Sequence, residues 1–331
     1  MTRDNPKKRA QVEPNLTTML PAFEEIKDAV MRVKPYVHNT PVFTSSTVNE
    51  RTGATVFFKC ENFQRMGAFK MRGAINAILQ LPKADRSKGV VTHSSGNFAQ
   101  ALALAARSLD VKAYIIMPGN APRVKVEAVM GYGAEVIECA PTLESREKIC
   151  GEVREKTQAT FIHPSNDMNV ILGQGTAAYE LIREVKELDI LLAPVGGGGL
   201  IAGTAMVQHY LLPESQTIGS EPFGADDAFL SLKIGKIQPS VNPITIADGL
   251  KTQLGDQNFP IIHKYVSNII RVEESEIIAA MRYIWERMKI VIEPSSAVAV
   301  AALFRKRERF LKKKVGVILS GGNVDLSNLP F

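Results

Sequence analysis

Short β-prone apolar runs alternate with longer stretches in which apolar positions recur every three or four residues, almost throughout the chain. "TVFFKC" (55–60), "GVVTH" (89–93), "KAYIIM" (112–117) and "AEVIEC" (134–139) predict strands. Between them "NFAQALALAARSL" (97–109) and "APRVKVEAVMGYG" (121–133) have helical periodicity, the second closed by glycine. The rhythm continues through "TFIHP" (160–164), the helix "GTAAYELIREV" (175–185), "DILLAPV" (189–195) and "KVGVILS" (314–320). Such alternation predicts βαβ units, hence an α/β fold with mostly parallel sheets covered on both faces. No linker rich in Pro, Gly or Ser cuts the chain. Residues 90–167 read as a compact unit inserted into a larger domain made of 23–89 and 168–331, with 1–22 a flexible N-terminus.

Composition narrows the function classes. The 331 residues are 45% hydrophobic and 22% charged, as in soluble enzymes. The net charge is +6, but only "KKR" (7–9) and "FRKRERFLKKK" (304–314) concentrate it. Neither run matches a known nucleic-acid-binding motif, and the second, with Glu308 inside it, reads as the solvated face and end of a helix, so a nucleic-acid partner is not expected. Cys60, Cys139 and Cys150 form no CxxC pair, which suits a reducing, cytoplasmic compartment. His38, His93, His163, His209 and His263 are widely separated along the chain and HExxH is absent, so zinc is unsupported. No apolar stretch is long enough for a membrane span, and the first twenty residues lack the apolar core of a signal peptide.

Four segments carry candidate chemistry. In "ENFQRMGAFKMRGAINAIL" (61–79), Lys70 stands where a buried helix begins. The unpaired N–H groups of a first turn disfavour a cation there. A lysine held neutral by desolvation, or tied up as an imine, suits the position better. "SSGNF" (94–98) offers hydroxyls, an amide and backbone N–H groups at a helix start, as an anion site or an ordinary N-cap would. "PVGGGGLIAG" (194–203) places four glycines between a strand and a helix, able to turn bare amides onto a phosphate. It lacks the Lys-Ser/Thr of a P-loop. Gly197, Gly199 and Ala202 also fit a loose GxGxxA, with Glu221 after "TIGS" spaced for a ribose, so an NAD-dependent dehydrogenase stays open. "LSGGN" (319–323) repeats the hydroxyl–glycine–amide theme after the last apolar strand.

In this order, "GAFKMRGA", "SSGN", "GGGG" and "LSGGN" resemble the fold-type-II pyridoxal-phosphate (PLP) enzymes, from about residue 23 to 327. That family includes serine/threonine dehydratases, serine racemases and threo-3-hydroxyaspartate ammonia-lyases. The resemblance implies a tryptophan synthase β-like fold: two three-layer α/β domains with the cofactor in the cleft between them. It implies that Lys70 bonds the cofactor aldehyde and then acts as general base. Phe69 would pack beside the ring, Asn97 contact its hydroxyl, Gly196, Gly197, Gly198 and Gly199 cradle the phosphate, and Ser320 bond the ring nitrogen. Ser94, Ser95 and Asn97 would hold the substrate carboxylate. Ser95 matches the opposite-face acid/base of the racemases, and Arg146 a second carboxylate-binding arginine.

The implied activity is elimination of water and ammonia from a β-hydroxy amino acid such as L-serine or L-threonine, with serine racemisation beside it. Threo-3-hydroxyaspartate ammonia-lyase is the alternative within the family. Glu221, Asp227 and the Ala225 carbonyl match a divalent-cation site for Mg²⁺ or Ca²⁺, and a homodimer is implied. Departures from the family pattern are Phe98 where many relatives carry histidine, and Ser296 where glycine is common, close to Glu293. Arg65 and Met66 replace the Lys-Thr pair of ATP-responsive racemases, so the resemblance does not extend to ATP activation.

Overall fold

The computed structural model describes residues 20–121 and 123–331. Among these, ten strands form two sheets: β1 (Val42–Phe43), β2 (Thr55–Cys60), β3 (Val90–His93), β4 (Ala113–Pro118) and β5 (Glu135–Cys139), then β6 (Thr160–Phe161), β7 (Ile190–Pro194), β8 (Gln216–Pro222), β9 (Val266–Val272) and β10 (Lys314–Leu319). The larger sheet has the order β1-β2-β10-β7-β8-β9 and the smaller β5-β4-β3-β6. Every pairing is parallel except β1 with β2.

Parallel strands covered by helices bury both faces, and the side chains sort accordingly. In the larger sheet Val56, Phe58, Leu192, Val315 and Val317 enter one core, while Leu191, Ala193 and Ile318 enter the core on the opposite face. In the smaller sheet Val90, Ile115 and Met117 face one core, and Val91, Tyr114 and Ile116 the other. The α/β class read from the sequence is therefore the observed one. Strand limits agree within a residue except in "TFIHP", where β6 has only two residues before the chain turns off at His163. The helix expected from Gly175 begins earlier, at Met168, because the Asp167 carboxylate accepts the amides of Asn169 (2.8 Å) and Val170 (3.1 Å).

Three helices, Lys70–Gln80, Met168–Val185 and Gly199–Leu211, pack backbone to backbone through glycines. A Cβ on Gly173 would lie 2.7 Å from the Gly73 Cα, and one on Gly203 would lie 2.6 Å from the Gly175 nitrogen. Among the described residues no helix is long and apolar enough to cross a membrane. Residues 1–19 of the segment read as a flexible N-terminus lie outside the described residues.

Candidate active site

Parallel strands end on a common edge, and the loops leaving β3, β6, β7 and β10 converge there on the first turn of helix Lys70–Gln80. The Phe69 amide donates to the Ser320 carbonyl (3.0 Å) and the Gly322 amide to the Gly67 carbonyl (2.9 Å). The Asn97 side chain donates to both oxygens of Glu293 (2.9 and 3.0 Å), and the Asn323 side chain donates to Oδ1 of Asn97 (2.9 Å). Three of the four motifs are thus joined directly by hydrogen bonds. The glycine loop joins through Asn258, whose amide donates to the carbonyls of Gly197 (2.8 Å) and Ser165 (3.0 Å), next to Pro164.

Lys70 is the first residue of its helix, and no acidic residue lies in that turn. Its Nζ donates to the Pro164 carbonyl (3.0 Å) and lies 5.0 Å from the Phe69 ring centre and 5.7 Å from that of Phe98. No salt bridge to Lys70 forms among the described residues. Burial pushes the amine down to about 8, with Glu293 pulling weakly the other way. Phe98, buried where relatives of the resembled family have histidine, makes this side of the cleft apolar. Glu293 is itself enclosed, and burial pushes it up to about 7 against the hydrogen bond from Asn97.

The glycine loop is built for an anion. The helix Gly199–Leu211 is preceded by Gly198 in the left-handed region (φ 84°), with no side-chain cap. Among the described residues, no acceptor takes the amide hydrogens of Gly196, Gly197, Gly198 or Gly199. Side chains are excluded by close approach, since a Cβ on Gly197 would collide with the Ser165 hydroxyl. Bare amides at the positive end of a helix fit a phosphate.

Ser94 and Ser95 share the Asn97 loop, yet neither caps the following helix. Its N-cap is Gly96, whose amide reaches the Ser94 hydroxyl only at 3.4 Å. The hydroxyls are thus not consumed by the role an ordinary N-cap would give them. Arg146 stands in helix Leu143–Thr157 after β5. Its Nε is enclosed without a partner among the described residues, and its charge acts on His93, the residue before Ser94.

Glu221, Ala225 and Asp227 occupy the end of β8 and the turn after it. Glu221 accepts the amides of Ala228 (3.1 Å) and Phe229 (2.7 Å), and both carboxylate oxygens of Asp227 are enclosed with no hydrogen-bond partner among the described residues. Burial, with Asp227 beside it, pushes Glu221 well up, and burial pushes Asp227 up to about 6. Two enclosed acids resisting ionisation form a pocket that a cation would relieve. No hydrogen bond or ion pair joins this pocket to Lys70 among the described residues, nor do three or more His, Cys, Asp or Glu side chains gather there as ligands. The same geometry sets aside the dinucleotide alternative, because Glu221 spends its oxygens on its own chain and is only 1% exposed.

The Pro164 carbonyl, Ser165, Asn258 and Asn323 escaped the sequence reading as supports of the site. Only Asn323 left a signal, as the last letter of "LSGGN". The histidines His93 and His163, far apart in sequence, lie with ring centres 6.3 Å apart.

An amine of lowered basicity and an array of free amides together fit a phosphorylated aldehyde. The Pyridoxal-phosphate dependent enzyme family profile matches residues 33–321, and the chain belongs to that family. It is 49% identical to serine racemase of Dictyostelium discoideum, over 96% of this chain and 98% of that one. It is 46% identical to beta-hydroxyaspartate dehydratase of Paracoccus denitrificans (strain Pd 1222), over 94% of this chain and 99% of the other. The crystal structure of the Dictyostelium discoideum serine racemase superposes with a TM-score of 0.89, covering 92% of this chain and 98% of that one. The family and fold-type-II architecture expected from the four motifs are thereby borne out.

Proposed function

We propose that the protein is a PLP-dependent ammonia-lyase that removes water and ammonia from a β-hydroxy amino acid such as L-serine or L-threonine, and that it also racemises serine. The observation that carries this reading is Lys70: a buried amine with its basicity lowered, no carboxylate in contact, and an anion cradle in the same cleft. Pyridoxal phosphate, when bound, supplies an aldehyde for amines and an electron sink for charge developing at Cα. Lys70 holds that aldehyde, the amides of Gly196–Gly199 its phosphate, Asn97 its hydroxyl, Ser320 its ring nitrogen, and Phe69 flanks the ring. Ser94, Ser95 and Asn97 orient the substrate carboxylate. Lys70 takes the proton from Cα on one face, and Ser95 moves a proton at Cα on the other. A serine at position 320, unlike an aspartate, does not enforce a protonated ring, which favours loss of a β-substituent.

A second reading, a threo-3-hydroxyaspartate ammonia-lyase, is favoured by the unpartnered Nε of Arg146, a donor suited to a second carboxylate. The Glu221–Ala225–Asp227 pocket takes Mg²⁺ or Ca²⁺ in this reading, supported by the unpartnered Asp227 oxygens. We further infer a homodimer, a cytoplasmic setting in keeping with three free cysteines, and a smaller domain at 90–167 built around the four-stranded sheet. The test is a panel of L-serine, L-threonine and threo-3-hydroxyaspartate assayed for ammonia, 2-oxo acid and the enantiomer remaining. Release of ammonia with oxo acid from at least one is expected; inertness toward all three, with cofactor bound, would sink the reading.

A further inference from the structure

His163 is absorbed by none of the roles above, yet it stands at the centre of the site. It follows β6, and its Nδ1 accepts the amides of Ser165 (3.1 Å) and Asn166 (2.8 Å). A ring nitrogen that accepts two N–H groups carries the lone pair, so the proton of the neutral ring resides on Nε2, across the ring from that loop. Among the described residues nothing accepts from Nε2. The next residue, Pro164, is the one whose carbonyl receives Lys70 Nζ. The His163 ring meets Phe161 (6.1 Å) and His93 (6.3 Å) edge to face, and His93 opens the Ser94–Asn97 loop. His163 therefore lies where the amine and the serine loop meet. The charged and titratable groups acting on it are His93, Lys70 and Asp256. Burial, then His93 and Lys70, push the ring down to about 4, so at neutral pH it can donate a hydrogen bond but gives up no proton as an acid.

We propose that the Nε2–H of His163 is an uncharged donor to the oxygen on the substrate's β-carbon, steadying that oxygen as it leaves. The inference rests on the lyase reading. In the elimination the Cα–H electrons become the Cα–Cβ π bond, the Cβ–O electrons depart with oxygen, and the proton released from Cα balances hydroxide as water. His163 contributes a hydrogen bond to the growing negative charge and no proton to this balance.

The test compares L-serine with β-chloro-L-alanine, whose chloride needs no donor to leave, in the holoenzyme and in His163→Asn. Asparagine sets its oxygen where Nδ1 was, preserving the Ser165 and Asn166 bonds, but lacks the far N–H. The variant should lose roughly 100- to 1000-fold in kcat on serine and little on chloroalanine, and His163→Gln, which restores the distal N–H, should recover part of the serine rate. Equal losses on both substrates, or none on serine, would overturn the proposal. Independently of turnover, 15N NMR of the imidazole should show Nε2 protonated and Nδ1 bare between about pH 5 and 8; a ring titrating near 6.5, or a proton on Nδ1, would overturn it too. A wild-type holoenzyme inert toward both substrates would instead refute the lyase reading beneath it.

Discussion

Lys59 and Lys70 both place an ammonium inside this fold, and they are accommodated in opposite ways. Lys59 on β2 is fully enclosed, donates to the Thr40 carbonyl (2.7 Å) and pairs with Glu180 (2.7 Å). It belongs to a buried network in which Arg72 bonds Glu61 (2.7 and 2.8 Å) and Glu180 (2.8 and 2.7 Å). Burial would raise Glu61, but Arg72, with Lys59 and Thr40 beside it, holds the carboxyl below its usual range. Lys70, two residues before Arg72 on the same helix, receives only a carbonyl and two aromatic rings. Cations that serve packing are matched by carboxylates. Lys70, proposed above to do the chemistry, is desolvated without a carboxylate in contact, which leaves its amine available to a ligand.

The sharpest way to break this contrast is Lys70→Ala. Ammonia release should fall roughly 10³-fold or more, while the urea midpoint of the cofactor-free protein barely moves. A large stability loss with activity retained would erase the distinction. Arg72→Ala should do the reverse, leaving Glu61 buried and unpaired at a cost of about 3–5 kcal/mol. Chemical denaturation measures it, and a change under 1 kcal/mol would show the network to be ornamental. The third test reads the amine itself. In cofactor-free protein, acetic anhydride labels neutral amines, so labelling of Lys70 should rise with half-maximum near pH 8, while Lys59 stays shielded, enclosed against Glu180 and the Thr40 carbonyl. A Lys70 midpoint above 10 would contradict its desolvation.

The acid pocket gives the smallest effect. Asp227 is pushed up to about 6 from its ordinary value of 3.8, so the stability it contributes is full below about pH 4 and lost as pH rises through 6. Metal-free protein should therefore fall behind Asp227→Asn by a few degrees in Tm between those limits, and millimolar Mg²⁺ or Ca²⁺ should close the gap at pH 7. An identical pH profile for the two proteins, with or without metal, would leave the pocket without a cation role.

Much of this is legible in the sequence alone. Buried parallel strands announce themselves as apolar runs, which is why "TVFFKC" and "KVGVILS" coincide with β2 and β10 almost to the residue. Four loops at strand ends carry unusual residue types, so Lys70, Asn97 and the glycines stood out. Arg72 did not, because its carboxylates come from positions 11 and 108 residues away and the surrounding pattern is simply that of an apolar helix. Nor could Pro164 be found, since it acts through a carbonyl that every residue possesses. His163 was hidden for a related reason: a single histidine beside a two-residue strand has no periodicity to betray which way its ring is turned.

The glycine contacts between the three stacked helices have a metrical consequence. With no side chains between Gly73 and Gly173, or between Gly175 and Gly203, there is little compressible material separating the helix that starts with Lys70 from the one that starts at Gly199. The separation of Lys70 from the glycine loop is then set by main-chain thickness. Were the cofactor held as proposed, an unphosphorylated vitamer would leave the glycine amides unfilled, and discrimination against it would need no dedicated recognition side chain.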